Sequence, residues 1–348
     1  MSGGRETRGW PVIEAVAEAA AEVHDTRWAP PARVGPYRVV GPLGRGGMAV
    51  VVEAEHEVLG RRVALKLAPP GPAAARLLAE ARTAARLRHP AIVDVLDAGV
   101  AGGQAFLAMD LVAGETLEAR LRRTGPLAPD EALRLLLPVV EALAHAHRAR
   151  VVHRDVKPGN VLVRAADDQP LLIDFGVACD LFQAEAGADR LLGTATYMAP
   201  EQRRGEAIGP ACDVWAVGVT LYECLTGRPP WVADDLEALA LAQATLTPPP
   251  LRALAPGVSP ALERVVLRCL EPRPAARHPD AQALLLALQG RGRRARSARW
   301  AARRVALLAA SHAGRGRRRP GPGAARRRRR GGRRARGAGR ARPAGHEA

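Results

Sequence analysis

The chain has 348 residues, 47% of them hydrophobic and 25% charged, which excludes full-length disorder and exceeds what one compact core usually fills. Its formal charge of +17 lies at one end: 21 arginines and one glutamate follow Gly290, so that stretch carries +20 and the first 290 residues sum to −3. Cys179, Cys212, Cys224 and Cys269 form no CxxC pair, no run of 18 apolar residues occurs, and the first residues lack a secretory apolar stretch, which together point to a cytoplasmic protein without a transmembrane segment, zinc cluster or disulfide scaffold.

Residues 1–36 read as a leader, with one short helix over Val12–Val23 and a linker at Ala29-Pro30-Pro31 and Gly35-Pro36. From Tyr37 the pattern predicts strands over Tyr37–Val40, Val50–Ala54 and Arg62–Leu67, then a helix over Ala73–Leu87 stopped by His89-Pro90. Two more strands are expected at Ile92–Ala98 and Ala105–Leu111, before a break at Gly114. Beyond it the periodicity turns helical, over Leu117–Arg123, Pro129–Arg148, Cys212–Thr226, Leu236–Ala244, Pro260–Leu270 and Asp280–Leu288. A small strand-rich lobe therefore precedes a larger helical one. After Gly290 the Arg/Gly/Ala/Pro tail is low in complexity and too poor in apolar residues to fold.

Arginine outnumbers lysine 50 to two in this chain, as GC-rich coding would produce. The lysines that persist, Lys66 and Lys157, are candidates for sites that need a compact ammonium in place of a planar fork. Lys66 follows a glycine-rich turn, Leu43-Gly44-Arg45-Gly46-Gly47-Met48-Ala49-Val50-Val51, where amides without an intervening Cβ can approach phosphate. Val50-Val51-Val52 continues as strand where a dinucleotide fold would begin a helix, and the Gly-Lys-Ser/Thr of a Walker loop is missing. Val63-Ala64-Leu65-Lys66 places the first lysine on the next strand, with Glu80 fourteen residues on as a carboxylate partner. The second lysine falls in His153-Arg154-Asp155-Val156-Lys157-Pro158-Gly159-Asn160. Ile173-Asp174-Phe175-Gly176 and Gly193-Thr194-Ala195-Thr196-Tyr197-Met198-Ala199-Pro200-Glu201 follow.

These motifs, in this order, resemble those of the protein kinase superfamily, and in detail the bacterial serine/threonine kinases of the eukaryotic-like class. The resemblance implies an α+β, bilobal protein kinase fold over residues 37–288. Its small β-rich N-lobe would span 37–109, its hinge 110–114 and its helical C-lobe 115–288, with a disordered arginine tail over 289–348. It further implies ATP in the cleft, with Gly44, Gly46 and Ala49 in the loop's glycine slots and Met109, Asp110 and Val112 at the hinge. Leu43, Arg45, Gly47, Met48, Val51 and Ala64 would complete the nucleotide site. By the same resemblance Lys66 holds the α/β-phosphates and pairs with Glu80, Asp155 accepts the hydroxyl proton, and Lys157 steadies the γ-phosphoryl group. Asn160 and Asp174 would ligate Mg²⁺, for which hard oxygen donors are suited. The lysine at 157 and the Ala199-Pro200-Glu201 segment favour a protein substrate carrying Ser or Thr over a tyrosine or small-molecule acceptor. Asp213 and the pair Glu201–Arg277 are expected to be structural.

Ala49 departs from the third loop glycine. The segment between Gly176 and Gly193 carries no Ser, Thr or Tyr, although Arg154 normally implies a loop ordered by phosphate. Glu185 or Asp189 would then supply a constitutive negative charge; a loop without an ordering partner is the other reading. His145 and His147, two apart on a helix, face different sides and are expected to pack and not to bind metal. His153 reads as a structural brace, Cys179 as a buried thiol, and Trp215 and Trp231 as core. The tail fits contact with nucleic acid, contact with an anionic membrane, or an inert solvated extension of GC-rich coding.

Overall fold

The structure, a computed structural model, describes residues 30–45, 49–175 and 193–290. The helix expected over Val12–Val23, the thiol Cys179, the acids Glu185 and Asp189 and the arginine tail lie outside the described residues.

A six-stranded antiparallel sheet opens the fold, in the order β1-β2-β3-β4-β6-β5. Its strands are β1 (Arg33–Val34), β2 (Tyr37–Arg45), β3 (Val50–His56), β4 (Arg62–Ala68), β5 (Val95–Ala101) and β6 (Gln104–Asp110). The sheet thus begins ahead of Tyr37: Arg33 pairs with Arg38. Alternation along β4 buries Val63, Leu65 and Leu67 against Val52, Ala54 and Phe106 on one side. The sheet curls enough for the Tyr37 hydroxyl of β2 to donate to Asp97 Oδ2 of β5 at 3.2 Å. Between β5 and β6, Gly102 and Gly103 both take positive φ, as a two-residue hairpin turn requires.

Helix α1 (Pro72–Ala84) starts with proline at its first turn and lays Leu77 and Ala81 against the cluster that holds Leu107 and Met109. It ends three residues before Leu87. Ile92 and Val93, expected to begin a strand, instead plug the junction between the lobes: the Val93 amide donates to the Leu172 carbonyl at 3.1 Å. The strand proper starts at Val95.

Past the hinge come β7 (Gly114–Thr116), α2 (Leu117–Thr124), α3 (Pro129–Arg148), β8 (Val161–Arg164) and β9 (Pro170–Leu172). A Cβ at Gly114 would lie 2.2 Å from the Val163 carbonyl oxygen, so only glycine lets β7 approach β8. Thr116 caps α2 by accepting from the Ala119 amide at 3.1 Å. Helix α3 has Asp130 and Glu131 in its first turn and Arg148 in its last, both favourable to the helix dipole. Helices α4 (Pro200–Arg203), α5 (Ala211–Thr226), α6 (Leu236–Thr245), α7 (Leu251–Leu254), α8 (Pro260–Cys269) and α9 (281–290) complete the described chain. Helix α5 is buried nearly all round, which makes it the spine of the large lobe. Trp215 stacks on Trp231 at 5.3 Å between ring centroids, in that core as expected.

Candidate active site

Cross-strand partners share a face of a sheet, so the register determines what the sheet shows the cleft. Val51 pairs with Lys66 and Glu53 with Ala64, while Ala64 and Lys66 are two apart on one strand. The sheet therefore turns Val51, Ala64 and Lys66 towards the second lobe. Beneath it lies a cavity of about 430 Å³, lined above by Leu43, Gly44, Val51 and Ala64, along one edge by 109–114, and below by Leu162 and Ile173. Asp174 closes its inner end.

Of the residues expected to bind nucleotide, Leu43, Gly44, Val51, Ala64, Met109, Asp110 and Val112 line this cavity. Asp110 turns its carboxylate outward to Arg61, 2.5 Å away, so only its backbone is available to the cavity edge. Arg45 ends β2, paired with Val50, and Ala49 precedes β3 away from the lining. Gly46, Gly47 and Met48 lie outside the described residues.

Lys66 and Glu80 sit behind the cavity. The Lys66 ammonium, 13% exposed, donates to Glu80 Oε1 at 2.9 Å and Oε2 at 3.2 Å and meets Asp174 Oδ1 at 3.0 Å. Burial works against the ammonium, but the carboxylates of Asp174 and Glu80 outweigh it and hold its pKa above the ordinary lysine range. Burial pushes Glu80 up to about 7 against the pull of Lys66. Asp174 is half-buried; desolvation opposes its charge, yet the neighbouring ammonium keeps its carboxyl below the usual carboxylate range. Its backbone is left-handed, φ 57°, a conformation aspartate tolerates better than most residues.

On the other side, Asp155 Oδ2 accepts from Lys157 Nζ and from Asn160 Nδ2, each at 2.9 Å. Asn160 Nδ2 also donates to the Asp155 carbonyl at 2.7 Å. Both of these bonds use the Asn160 amide nitrogen, which fixes the side chain within the loop and leaves its oxygen out of them. Lys157 reaches Thr194 Oγ1 at 3.4 Å as well.

The turn carrying these groups is strained: Arg154 has φ 70°, rare for a long side chain. Asp213 holds it, accepting from the amides of His153 and Arg154 at 2.8 Å each and from His147 Nε2 at 2.9 Å. Burial opposes the Asp213 charge, but these hydrogen bonds keep its carboxyl below the usual range. His153, fully buried, donates from Nε2 to the Ile173 carbonyl at 3.1 Å and accepts on Nδ1 from the Asp155 amide at 3.3 Å. It braces the loops bearing Asp155 and Asp174, and burial lowers its pKa. His147 also accepts from the Ala281 amide, whereas His145 faces His89, 5.6 Å away. The two histidines thus face different sides. Arg277 pairs bidentately with Glu201 at 2.6 and 2.8 Å, both side chains buried, as expected of a structural pair.

The sequence reading missed Val93, Leu162 and Ile173 in the lining, and the ion pair of Glu53 with Arg62 at its rim. Only the structure singles out Leu162: Val161 and Val163 are buried while Leu162, between them, is half-exposed on the open face of a short strand.

The described residues contain no group of three His, Cys, Asp or Glu able to hold a metal. Two oxygen donors, Asn160 and Asp174, instead suit a hard divalent cation that keeps water and substrate oxygens in its shell. No helix among the described residues is long and apolar enough to cross a membrane.

Residues 37–285 match the family model described as protein kinase domain. The chain is 41% identical over 262 residues to the serine/threonine-protein kinase PknD of Mycobacterium tuberculosis, covering 73% of this chain and 39% of that protein. It is 39% identical over 261 residues to PknH of Mycobacterium bovis, covering 73% and 43%. With the serine/threonine-protein kinase pkn3 of Myxococcus xanthus it shares 38% identity over 269 residues, 73% and 49% of the two chains. The match thus spans less than half the length of these curated relatives.

Proposed function

This chain belongs to the protein kinase family, and we propose that it transfers the γ-phosphoryl group of ATP to serine and threonine hydroxyls of protein substrates. The observation that carries the reading is one cleft with Lys66, Glu80 and Asp174 at its inner end and the Asp155–Lys157–Asn160 loop beside Thr194. The base of ATP fits between Val51 and Ala64 above and Leu162 below, with the backbone of 109–112 as its hydrogen-bonding edge. Lys66, already shared between two carboxylates, holds the α/β-phosphate oxygens while Glu80 keeps it aimed.

Both contacts to the Asp155 carboxylate fall on Oδ2, leaving Oδ1 to accept the proton of the incoming hydroxyl. The hydroxyl oxygen bonds to the γ-phosphorus as the bond to the β–γ bridging oxygen breaks. Lys157 neutralises charge on the transferring group, and Thr194 steadies that lysine. Asn160 and Asp174 would hold Mg²⁺, which supplies neutralisation of phosphate charge when bound. Little covalent help is needed, so the contribution of these residues is alignment and charge. Incubating the protein with Mg-ATP and a basic protein acceptor, then locating the phosphate by mass spectrometry, tests the reading; phosphate on Ser or Thr supports it and none refutes it.

A further inference from the structure

The segment 193–198 touches the proposed catalytic loop through Lys157 and Thr194, so it borders the entrance an acceptor hydroxyl must use. Two side chains remote from the nucleotide cavity hold its backbone. Arg203, in α4, donates from Nη1 to the Ala195 carbonyl at 3.2 Å. Gln243, in α6, donates from Nε2 to the Thr196 carbonyl at 3.0 Å. The two are themselves joined, Arg203 Nη2 donating to Gln243 Oε1.

This arrangement is costly to build. Gln243 is fully buried, and with Leu239 it is what α6 inserts into the fold. Arg203 is half-buried, and among the described residues it forms no ion pair; burial and the neighbouring Arg204 lower its pKa to about 10. A desolvated cation spent on a neutral amide and a carbonyl is poor economy for stability alone, since an apolar pair of similar volume would often do as well. What it does secure is the exact path of two consecutive carbonyls beside the acceptor entrance.

We propose that Arg203 and Gln243 are positioning residues for the protein substrate: they set the backbone of Ala195 and Thr196, against which the polypeptide flanking the acceptor hydroxyl packs. The proposal rests on the phosphotransfer reading above and extends it, because neither residue lines the nucleotide cavity. Substrate docking is thereby tied to helix α6 and ATP binding is not.

The test is steady-state kinetics of the full chain with Mg-ATP and histone as acceptor, comparing wild type with Gln243→Leu, Arg203→Gln and Arg203→Lys. For Gln243→Leu and Arg203→Gln the KM for histone should rise about tenfold, the effect of one buried hydrogen bond, while the KM for ATP moves less than about twofold. The double variant should be little worse than the poorer single one, since the two side chains act through one linked network. Arg203→Lys, which keeps a donor for one of the two acceptors, should recover part of the loss. An unchanged histone KM with a lowered melting temperature would show a structural role only and overturn the proposal, as would parallel changes in both KM values. If Gln243→Leu does not fold, Arg203→Gln carries the test from a half-exposed position. Wild type that transfers nothing to histone refutes the functional reading, and this inference with it; wild type that transfers, with variants that keep its histone KM, refutes the inference alone.

Discussion

Lys66→Arg preserves a charge and changes its shape, which makes it a sharp test of why lysine persists in a chain with 50 arginines. The ammonium spends its three donors on two carboxylates at 2.9 to 3.2 Å. To bind a phosphate oxygen it must redirect one of them while the others still hold Glu80. A guanidinium is longer and planar; it can take Glu80 bidentately, but its fork cannot then also point a donor into the cavity at the same spot. Loss of one charge-assisted hydrogen bond to phosphate amounts to about 1.5–3 kcal/mol. At ~1.4 kcal/mol per factor of ten, kcat/KM for ATP should fall roughly 10–150-fold. Stability should hold, because the new cation still neutralises Glu80 and Asp174; a change within ~1 kcal/mol is a shift of about 2–4 °C in Tm for a domain of this size. Varying ATP at saturating acceptor, alongside a thermal melt, measures both. Activity within about threefold of wild type would refute the requirement for a compact ammonium.

Other predictions concern the frame around the site. Arg277→Met strands the buried Glu201 carboxylate and loses five hydrogen bonds. It should cost about 3–5 kcal/mol, or roughly 6–20 °C in Tm by calorimetry, and a loss under ~1 kcal/mol would contradict the structural assignment. His153 is held neutral by burial, whereas an unfolded histidine titrates near pH ~6.5, so below that pH the unfolded chain binds the extra proton and stability falls. The difference in Tm between wild type and His153→Gln should therefore narrow from about pH 7.5 to about pH 5.5; a constant difference would show that His153 does not contribute this linkage. Removing the residues after Gly290 leaves a chain of net charge −3. Phosphotransfer should survive that deletion, and any salt-sensitive binding to a polyanion should not; binding that persists would place it elsewhere.

Much of this site is legible in the sequence because phosphate chemistry fixes residue types at short spacings. Lys66 stands out by its rarity and Asp155, Lys157 and Asn160 by sharing one loop, whereas Glu80, alone an ordinary helix acid, gains meaning only as a partner for Lys66; the structure brings Lys66 to Glu80 and Asp174, and Asp155 to Lys157 and Asn160. The α3 helix was equally plain, since Pro129, the acids after it and a long apolar period agree. Other features leave no local pattern. Arg33–Val34 is too short a strand to show alternation. Ile92 and Val93 carry strand-like side chains but are taken by the lobe junction, where packing against Leu172 overrides propensity. Leu162 looks like any strand leucine until its neighbours are seen to be buried. Arg203 and Gln243 meet across 40 residues, and contacts from side chain to a distant carbonyl follow no period at all.

Asp155 is the proposed base for phosphoryl transfer from ATP to protein hydroxyls. The direct measurement compares wild type with Asp155→Asn for transfer of γ-phosphate from Mg-ATP to a basic protein, with ATP binding and Tm recorded for both. Phosphate on Ser or Thr from wild type, and a loss of at least about 10²-fold in a variant that still folds and binds ATP, is the predicted result. Equal transfer by the two proteins would contradict it.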